Sequence, residues 1–234
     1  MDNVSLHSRR KSIGSEAFRY GMQRLLSAFI GVDVLERSGA IGRAAHHIDV
    51  VQHRRHVEIG FGTGEDMHLA PIAQEVDPAW LDCFPGALLG VTPQGWLRQW
   101  DAAGRVSPIG WAEAESVLPH ADAVIISIED IGHDESIVQE WAALAKVLVV
   151  TRGALGCTVY TNRQTIAVPT HAARLVDTTG AGDVFSASYF VRLRQTGDPA
   201  AAARFANCMA GHSVTRRGLA AIPIPSEIEE CLAV

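Results

Sequence analysis

Seven consecutive residues, Asp177-Thr178-Thr179-Gly180-Ala181-Gly182-Asp183, have the composition of a phosphate site. Gly180 and Gly182 bracket the small Ala181, so an anion can approach the backbone without meeting a Cβ. A run with helical spacing follows in Val184, Phe185, Ala187, Phe190 and Leu193. The stretch therefore reads as a tight turn opening into a helix, whose first N–H groups and dipole favour negative charge. Leu175 and Val176 lead in, as the end of a buried strand would. Asp183 falls in the first turn of that helix, where the dipole keeps a carboxylate ionised. Beside a bound phosphate it can accept the proton of an attacking hydroxyl, the part an aspartate base plays in phosphoryl transfer. Taken alone, Asp183 reads more readily as an N-capping residue after a glycine turn than as a catalytic group.

Such a turn needs a frame, and the chain from residue 67 onward has the pattern of one. Residues 67–71 read as a strand end, and Asp77-Pro78 as a helix start with Asp77 as N-cap and Pro78 at N1. Apolar runs at 88–91, 123–126 and 147–150 read as buried strands. Helical patterns at 111–118 and 134–145 alternate with them, which indicates right-handed βαβ units and a parallel sheet. Residues 159–160 and 166–168 form a hairpin around Thr161-Asn162-Arg163-Gln164, and Asp198-Pro199 opens an Ala-rich helix through Ala210. In a sheet of this kind ligands collect outside the carboxyl ends of the strands, here the loops after Val91, Ile126, Val150 and Val176.

The length of 234 residues suits one α/β domain with a full core, or a domain with a short extension. A formal charge of -6 argues against a nucleic-acid partner. No apolar run is long enough to cross a bilayer, and the charged residues Glu16, Arg19 and Arg24 interrupt the one stretch resembling a targeting segment, so a cytoplasmic protein is expected. Cys83, Cys157, Cys208 and Cys231 are dispersed with no C-x-x-C pair, which predicts reduced thiols rather than a disulfide framework or zinc knuckle.

The Asp177–Asp183 stretch resembles the C-terminal signature of the PfkB, or ribokinase-like, sugar kinases. Thr151-Arg152-Gly153-Ala154-Leu155-Gly156 is similar to that family's T-x-G-x-x-G nucleotide-site strand-turn. The resemblance covers residues 67–225 and implies a ribokinase-like α/β fold: a doubly wound, mainly parallel sheet with helices on both faces. It implies transfer of phosphate from ATP, with Mg2+, to a hydroxyl of a sugar or small polyol, and it is compatible with a homodimer. Asp183 would be the general base, and the backbone of Gly180, Ala181 and Gly182 the anion hole. Thr151, Gly153 and Gly156 would line the nucleotide, with Asn207 and Gly218 closing over the base; Asn207 reads equally as a helix-surface residue. Gln94 and Arg98 would reach the acceptor, the structural alternative being Arg98 stacked on Trp100. Relatives often carry N-x-x-E where this chain has Ser127-Ile128-Glu129-Asp130. Asp130, or Glu129 in a shifted register, would thus organise magnesium and phosphate through water. Asp177 and Thr179 match positions that hold a monovalent cation such as K+ in many relatives, an Asx-type turn being the alternative at Asp177.

The chain divides on this reading into an atypical segment 1–66, a core 67–225 and a C-terminal tail 226–234. Ser15 can cap a helix over 15–30 with Phe18, Met22, Leu25, Leu26 and Phe29 on one face. His46, His47, His53 and His56 match no common metal-site spacing. Family-like text begins abruptly near Met67, with no Gly-Gly pair and no lid hairpins before it. The small β lid is therefore expected to be absent or incomplete, and the N-terminus truncated, rearranged or frame-shifted. Two rival readings remain: a non-catalytic nucleotide-binding remnant, and an S-adenosylmethionine-dependent methyltransferase. The second rests on the Gly60–Gly64 loop, and the polar residues 52–56 and early Pro71 speak against it.

Overall fold

The computed structural model describes residues 60–61, 66–170 and 173–234. The helix expected over 15–30, the histidine-rich stretch and residues 62–64 of the glycine loop lie outside them.

A seven-stranded sheet organises the chain. Its strands are β1 (Gly60–Phe61), β2 (Asp66–Leu69), β3 (Leu88–Val91), β6 (Ala123–Ser127), β7 (Val147–Thr151), β8 (Cys157–Thr161) and β9 (Gln164–Val168), in spatial order β1-β2-β3-β6-β7-β8-β9. β2, β3, β6 and β7 are mutually parallel, whereas β1 joins one edge antiparallel and β8 and β9 extend the other as an antiparallel meander. Gly60 and Phe61 thus belong to an antiparallel edge strand. The β8–β9 turn is the expected one, with Asn162 and Arg163 both at positive φ, the backbone that a two-residue hairpin loop requires.

The parallel strands are buried on both faces, which is why their sequences are continuous apolar runs. Val124, Ile126, Leu148 and Val150 face one core with Trp96, Trp111, Val138 and Trp141. Ala123, Ile125, Val147 and Val149 face the other, against Phe185, Tyr189, Phe190, Ala202 and Ala206. Helices α1 (Ala114–Val117) and α2 (Glu135–Leu144) contribute to the first layer. The second is made by α3 (Ala181–Thr196) and α4 (Pro199–Ser213). Asp134 and Asp198 cap α2 and α4, accepting from Ser136 N and from Ala200 N and Ala201 N. A doubly wound sheet with helices on both faces is therefore observed.

Two sequence expectations are corrected. Leu175 and Val176 do not end a strand: both are exposed, and the segment is a loop whose Val176 and Asp177 N–H groups donate to Val214 O, at the end of α4. The cysteines are not all free thiols. Residues 226–234, read as a tail, include most of α5 (Pro225–Leu232), which packs on α3 and α4 through Ile228 and Phe205. This packing brings the Cα atoms of Cys208 and Cys231 to 5.6 Å, and the pair is disulfide-bonded. Cys83 and Cys157 are free. At Arg98 and Asn207 the structure decides against the structural alternatives. A second sheet, β4 (Arg98–Trp100) with β5 (Val106–Pro108), forms a small antiparallel hairpin around the expected Asp101–Gly104 turn.

Candidate active site

One transverse row of the sheet fixes the geometry. Ser127 of β6 is in register with Thr151 of β7, Thr151 with Cys157 of β8, and Cys157 with Val168 of β9. The row lies at the carboxyl ends of the parallel strands, so the loops 127–130 and 152–156 leave the same edge of the sheet. Thr151 Oγ1 donates to Ile126 O at 3.3 Å and holds two strand ends together. Beyond it Gly153 and Gly156 both have positive φ. Gly156 is required for a second reason: a Cβ there would lie 2.2 Å from Val168 O. Arg152, which the sequence reading passed over, binds Glu135 at 2.5 and 3.1 Å and Thr158 Oγ1 at 3.0 Å. Its side chain thereby ties the turn to α2 and β8. The hydrogen bond from Arg152 holds the Glu135 carboxyl below its ordinary pKa. An arginine inside the T-x-G match was the available signal.

Asn207 is not a surface residue. It is buried, and its side-chain amide donates to Val168 O at 2.8 Å and contacts Cys157 Sγ at 3.6 Å, docking α4 on the same row. A buried amide of this kind needs such partners. Burial pushes the Cys157 thiol up to about 12, so this cysteine is a packing residue.

The loop after β6 is a short 3-10 turn with a capping box: Ser127 Oγ accepts from Glu129 N, and Asp130 Oδ2 accepts from Ser127 N at 3.4 Å. Asp130 Oδ1 faces the loop after β3, where it accepts from Gln94 Nε2 at 3.3 Å and Arg98 Nη2 at 3.2 Å. The guanidinium of Arg98 therefore goes to Asp130 rather than onto Trp100, the structural alternative. A carboxylate is the stronger partner, since the pair is charge-assisted. Glu129, by contrast, is exposed.

Helix α3 brings the signature to this edge. Its Phe190 ring lies against Gly90 of β3, where a Cβ would be 2.6 Å from the ring. Near its C-terminal end, Arg194 pairs with Asp66 at the start of β2, 3.3 Å away. The helix thus runs antiparallel to the parallel strands. Asp183 is 11 residues earlier (194 − 183), about 16 Å up the axis, farther than the ~13 Å spanned by a four-residue strand. The helix N-terminus is accordingly at the carboxyl edge. There Gly180 is the N-cap in the left-handed region, with φ 79°, and Asp183 is in the first turn. Ala181 N donates to Thr178 O, and Asp177 Oδ1 accepts from Thr179 N at 3.0 Å, the Asx-type turn. A Cβ at Gly182 or Gly153 would meet nothing within 4 Å, so open space lies over the backbone at both. Gly218 begins a 3-10 turn, with φ +56°, between α4 and α5.

Residues 109–227 match the model of the pfkB family carbohydrate kinases. The chain is similar to fructokinase-1 of Oryza sativa subsp. japonica, 31% identical over 159 residues, which covers 62% of this chain and 48% of that protein. It spans about half the length of the curated relatives it matches. Among solved structures, ribokinase from Thermotoga maritima superposes with a TM-score of 0.56 at 22% identity, over 73% of this chain and 57% of that one. Arabidopsis thaliana ribokinase complexed with ribose and ATP does so with a TM-score of 0.55 at 19% identity, over 71% and 55%. At those identities the structural likeness speaks for the fold. Among the described residues, no helix is long and apolar enough to cross a membrane.

Proposed function

The chain belongs to the pfkB family of carbohydrate kinases, and from that premise we propose that it transfers a phosphoryl group from ATP to a hydroxyl of a sugar or sugar-like polyol. The observation that carries this reading is the direction of α3, which points Gly180 and Asp183 at the carboxyl edge where the β6 and β7 loops end. Asp183 takes the hydroxyl proton as the new O–P bond forms and the bond from the γ-phosphorus to the departing ADP oxygen breaks, and the backbone around Gly182 receives charge developing on the transferred group. Thr151, Gly153 and Gly156 line the nucleotide. Asn207 supports that wall from behind, and Gly218 borders it. The open space over Gly153 and over Gly182 leaves each backbone approachable by phosphate.

Magnesium would neutralise phosphate charge at the same edge. Asp130 Oδ1 already faces a guanidinium, so this carboxylate fits a water-mediated role, with exposed Glu129 beside it as the freer group. Asp177 and Thr179 would hold a monovalent cation such as K+ in the loop before Gly180. Gln94 and Arg98 would orient the acceptor from the loop after β3.

The test has two stages. ATP with magnesium should raise the melting temperature, because a ligand bound only by the folded state stabilises it. ADP release should then depend on one member of a panel of hexoses, pentoses and polyols. A stabilisation without any turnover would favour the nucleotide-binding remnant, and stabilisation by S-adenosylmethionine instead of ATP would overturn the kinase reading.

A further inference from the structure

On the far side of α4 from Asn207, a second group of chemically capable side chains converges. Cys208 and His212 are four residues apart and share one face of that helix, and Cys231 comes across from α5. One ligand atom from each of the three lies within 4.8 Å of the others. Cys231 is buried, while Cys208 and His212 are partly exposed, so the group is reachable from solvent. The imidazole of His212 sits between two carboxylates of α5: Nδ1 is 3.5 Å from Glu227 Oε1, and Nε2 is 3.6 Å from Glu230 Oε2. Whichever ring nitrogen turned to a metal, the other would keep a carboxylate partner. That arrangement fixes the tautomer of metal-bound histidines. Glu227 is itself held by two hydrogen bonds from Arg216, at 2.9 and 2.8 Å.

We propose that Cys208, His212 and Cys231 form a binding site for a zinc-class divalent ion that is available when the Cys208–Cys231 bond is reduced. Two thiolates and one imidazole suit a borderline-soft, tetrahedral ion, with water completing the four ligands. A thiol reductant supplies two electrons and two protons to the disulfide and leaves as its own disulfide. The ion then takes both sulfurs as thiolates, with release of two protons. Oxidised or metal-bound, α5 stays tied to α4 across the link that carries Gly218.

Cobalt(II) titration of the full chain tests this, in a Cys83→Ser background that removes the exposed thiol outside the group. The phosphine-reduced protein should bind one cobalt per chain with thiolate-to-metal charge-transfer absorption and tetrahedral d–d bands, and zinc should displace it. The oxidised protein should show none of this. His212→Gln leaves both cysteines in place, and it should weaken binding at least about tenfold, the lower end of what losing even an outer-shell partner costs. Cys231→Ser should cut the charge-transfer absorption to half or less, since one of the two thiolates is lost. No band from the reduced chain, unchanged affinity in His212→Gln, or a full band in Cys231→Ser would each overturn the site.

Discussion

Arg98 Nη2 lies 3.2 Å from Asp130 Oδ1, and this pair joins the loop after β3 to the loop after β6. In the proposed enzyme the first loop faces the acceptor and the second faces the metal and phosphate. Their ion pair is thus a mechanical link between the two halves of the site. Asp130 is the more deeply placed partner, its side chain 11% exposed against 35% for Arg98.

That asymmetry gives the first prediction. Arg98→Ala removes a partly solvated ion pair and should lower stability by about 1 kcal/mol or less. Asp130→Ala removes the same pair together with the Gln94 contact and the acceptor for Ser127 N, a capping loss of about 1–2 kcal/mol. Urea unfolding of the two variants measures the difference. A larger cost for Arg98→Ala than for Asp130→Ala would mean that the carboxylate does not hold the junction.

Two glycines at the proposed nucleotide edge should respond in opposite ways. At Gly156, φ is +87° and a Cβ would strike Val168 O and Thr170 N, backbone atoms that cannot swing aside. Gly156→Ala should destabilise the fold by about 2–4 kcal/mol, combining positive-φ backbone strain with overpacking. Gly182 is exposed with nothing within 4 Å of its Cβ position. Gly182→Val should therefore leave the melting temperature of the free protein nearly unchanged while abolishing the rise caused by ATP and magnesium. Melting curves with and without nucleotide separate the two effects. A Gly182→Val protein still stabilised by ATP like the parent would remove the phosphate cradle.

What was legible in the sequence was what local patterns encode. Residues 123–126 and 147–150 announced buried parallel strands because both faces are covered, so no polar alternation interrupts them. Asp198-Pro199 marked a helix start, and the glycine signature marked the turn at α3, because capping and positive φ are local requirements. The failures needed distant partners. Leu175 and Val176 are apolar, but their loop hangs on Val214 O through the N–H groups of Val176 and Asp177, a contact that depends on how α4 ends. The β4–β5 hairpin escaped because its strands are short and largely exposed, with little periodicity to read. Asn207 and the Cys208–Cys231 bond became interpretable only once α4 lay between the sheet and α5.

His68 supplies a pH dependence. It is buried in β2, its Nε2 3.0 Å from Thr92 Oγ1 and its ring 4.6 Å from the Phe190 centroid. Burial lowers its pKa from 6.5 to about 3. The folded state therefore keeps the imidazole neutral where the unfolded chain binds a proton. The stability contributed is complete above pH 6.5 and is lost as pH falls towards 3, by up to about 1.4 kcal/mol per unit. Between pH 6.5 and pH 5 the loss from this group should approach about 2 kcal/mol. Unfolding free energies across that range should fall less steeply in His68→Gln than in the parent. Equal slopes would show that the imidazole is not shielded from protons.

The last prediction separates base catalysis from anion binding at α3. Asp183 is in the first turn of the helix, next to Gly182, so a change there can act on the acceptor proton, on the phosphate, or on both. Asp183→Asn keeps the size of the side chain and an oxygen that accepts hydrogen bonds, but it cannot take a proton. If Asp183 is the general base, sugar-dependent ADP release should fall by about 10²–10⁴-fold while the ATP-induced rise in melting temperature is retained. The loss should fall on kcat, since the proton moves only as the new bond forms. A variant that turns over like the parent would remove Asp183 from the chemistry. A variant that loses ATP binding along with turnover would make the carboxylate a structural part of the phosphate turn, and the base would have to be sought elsewhere at the same edge.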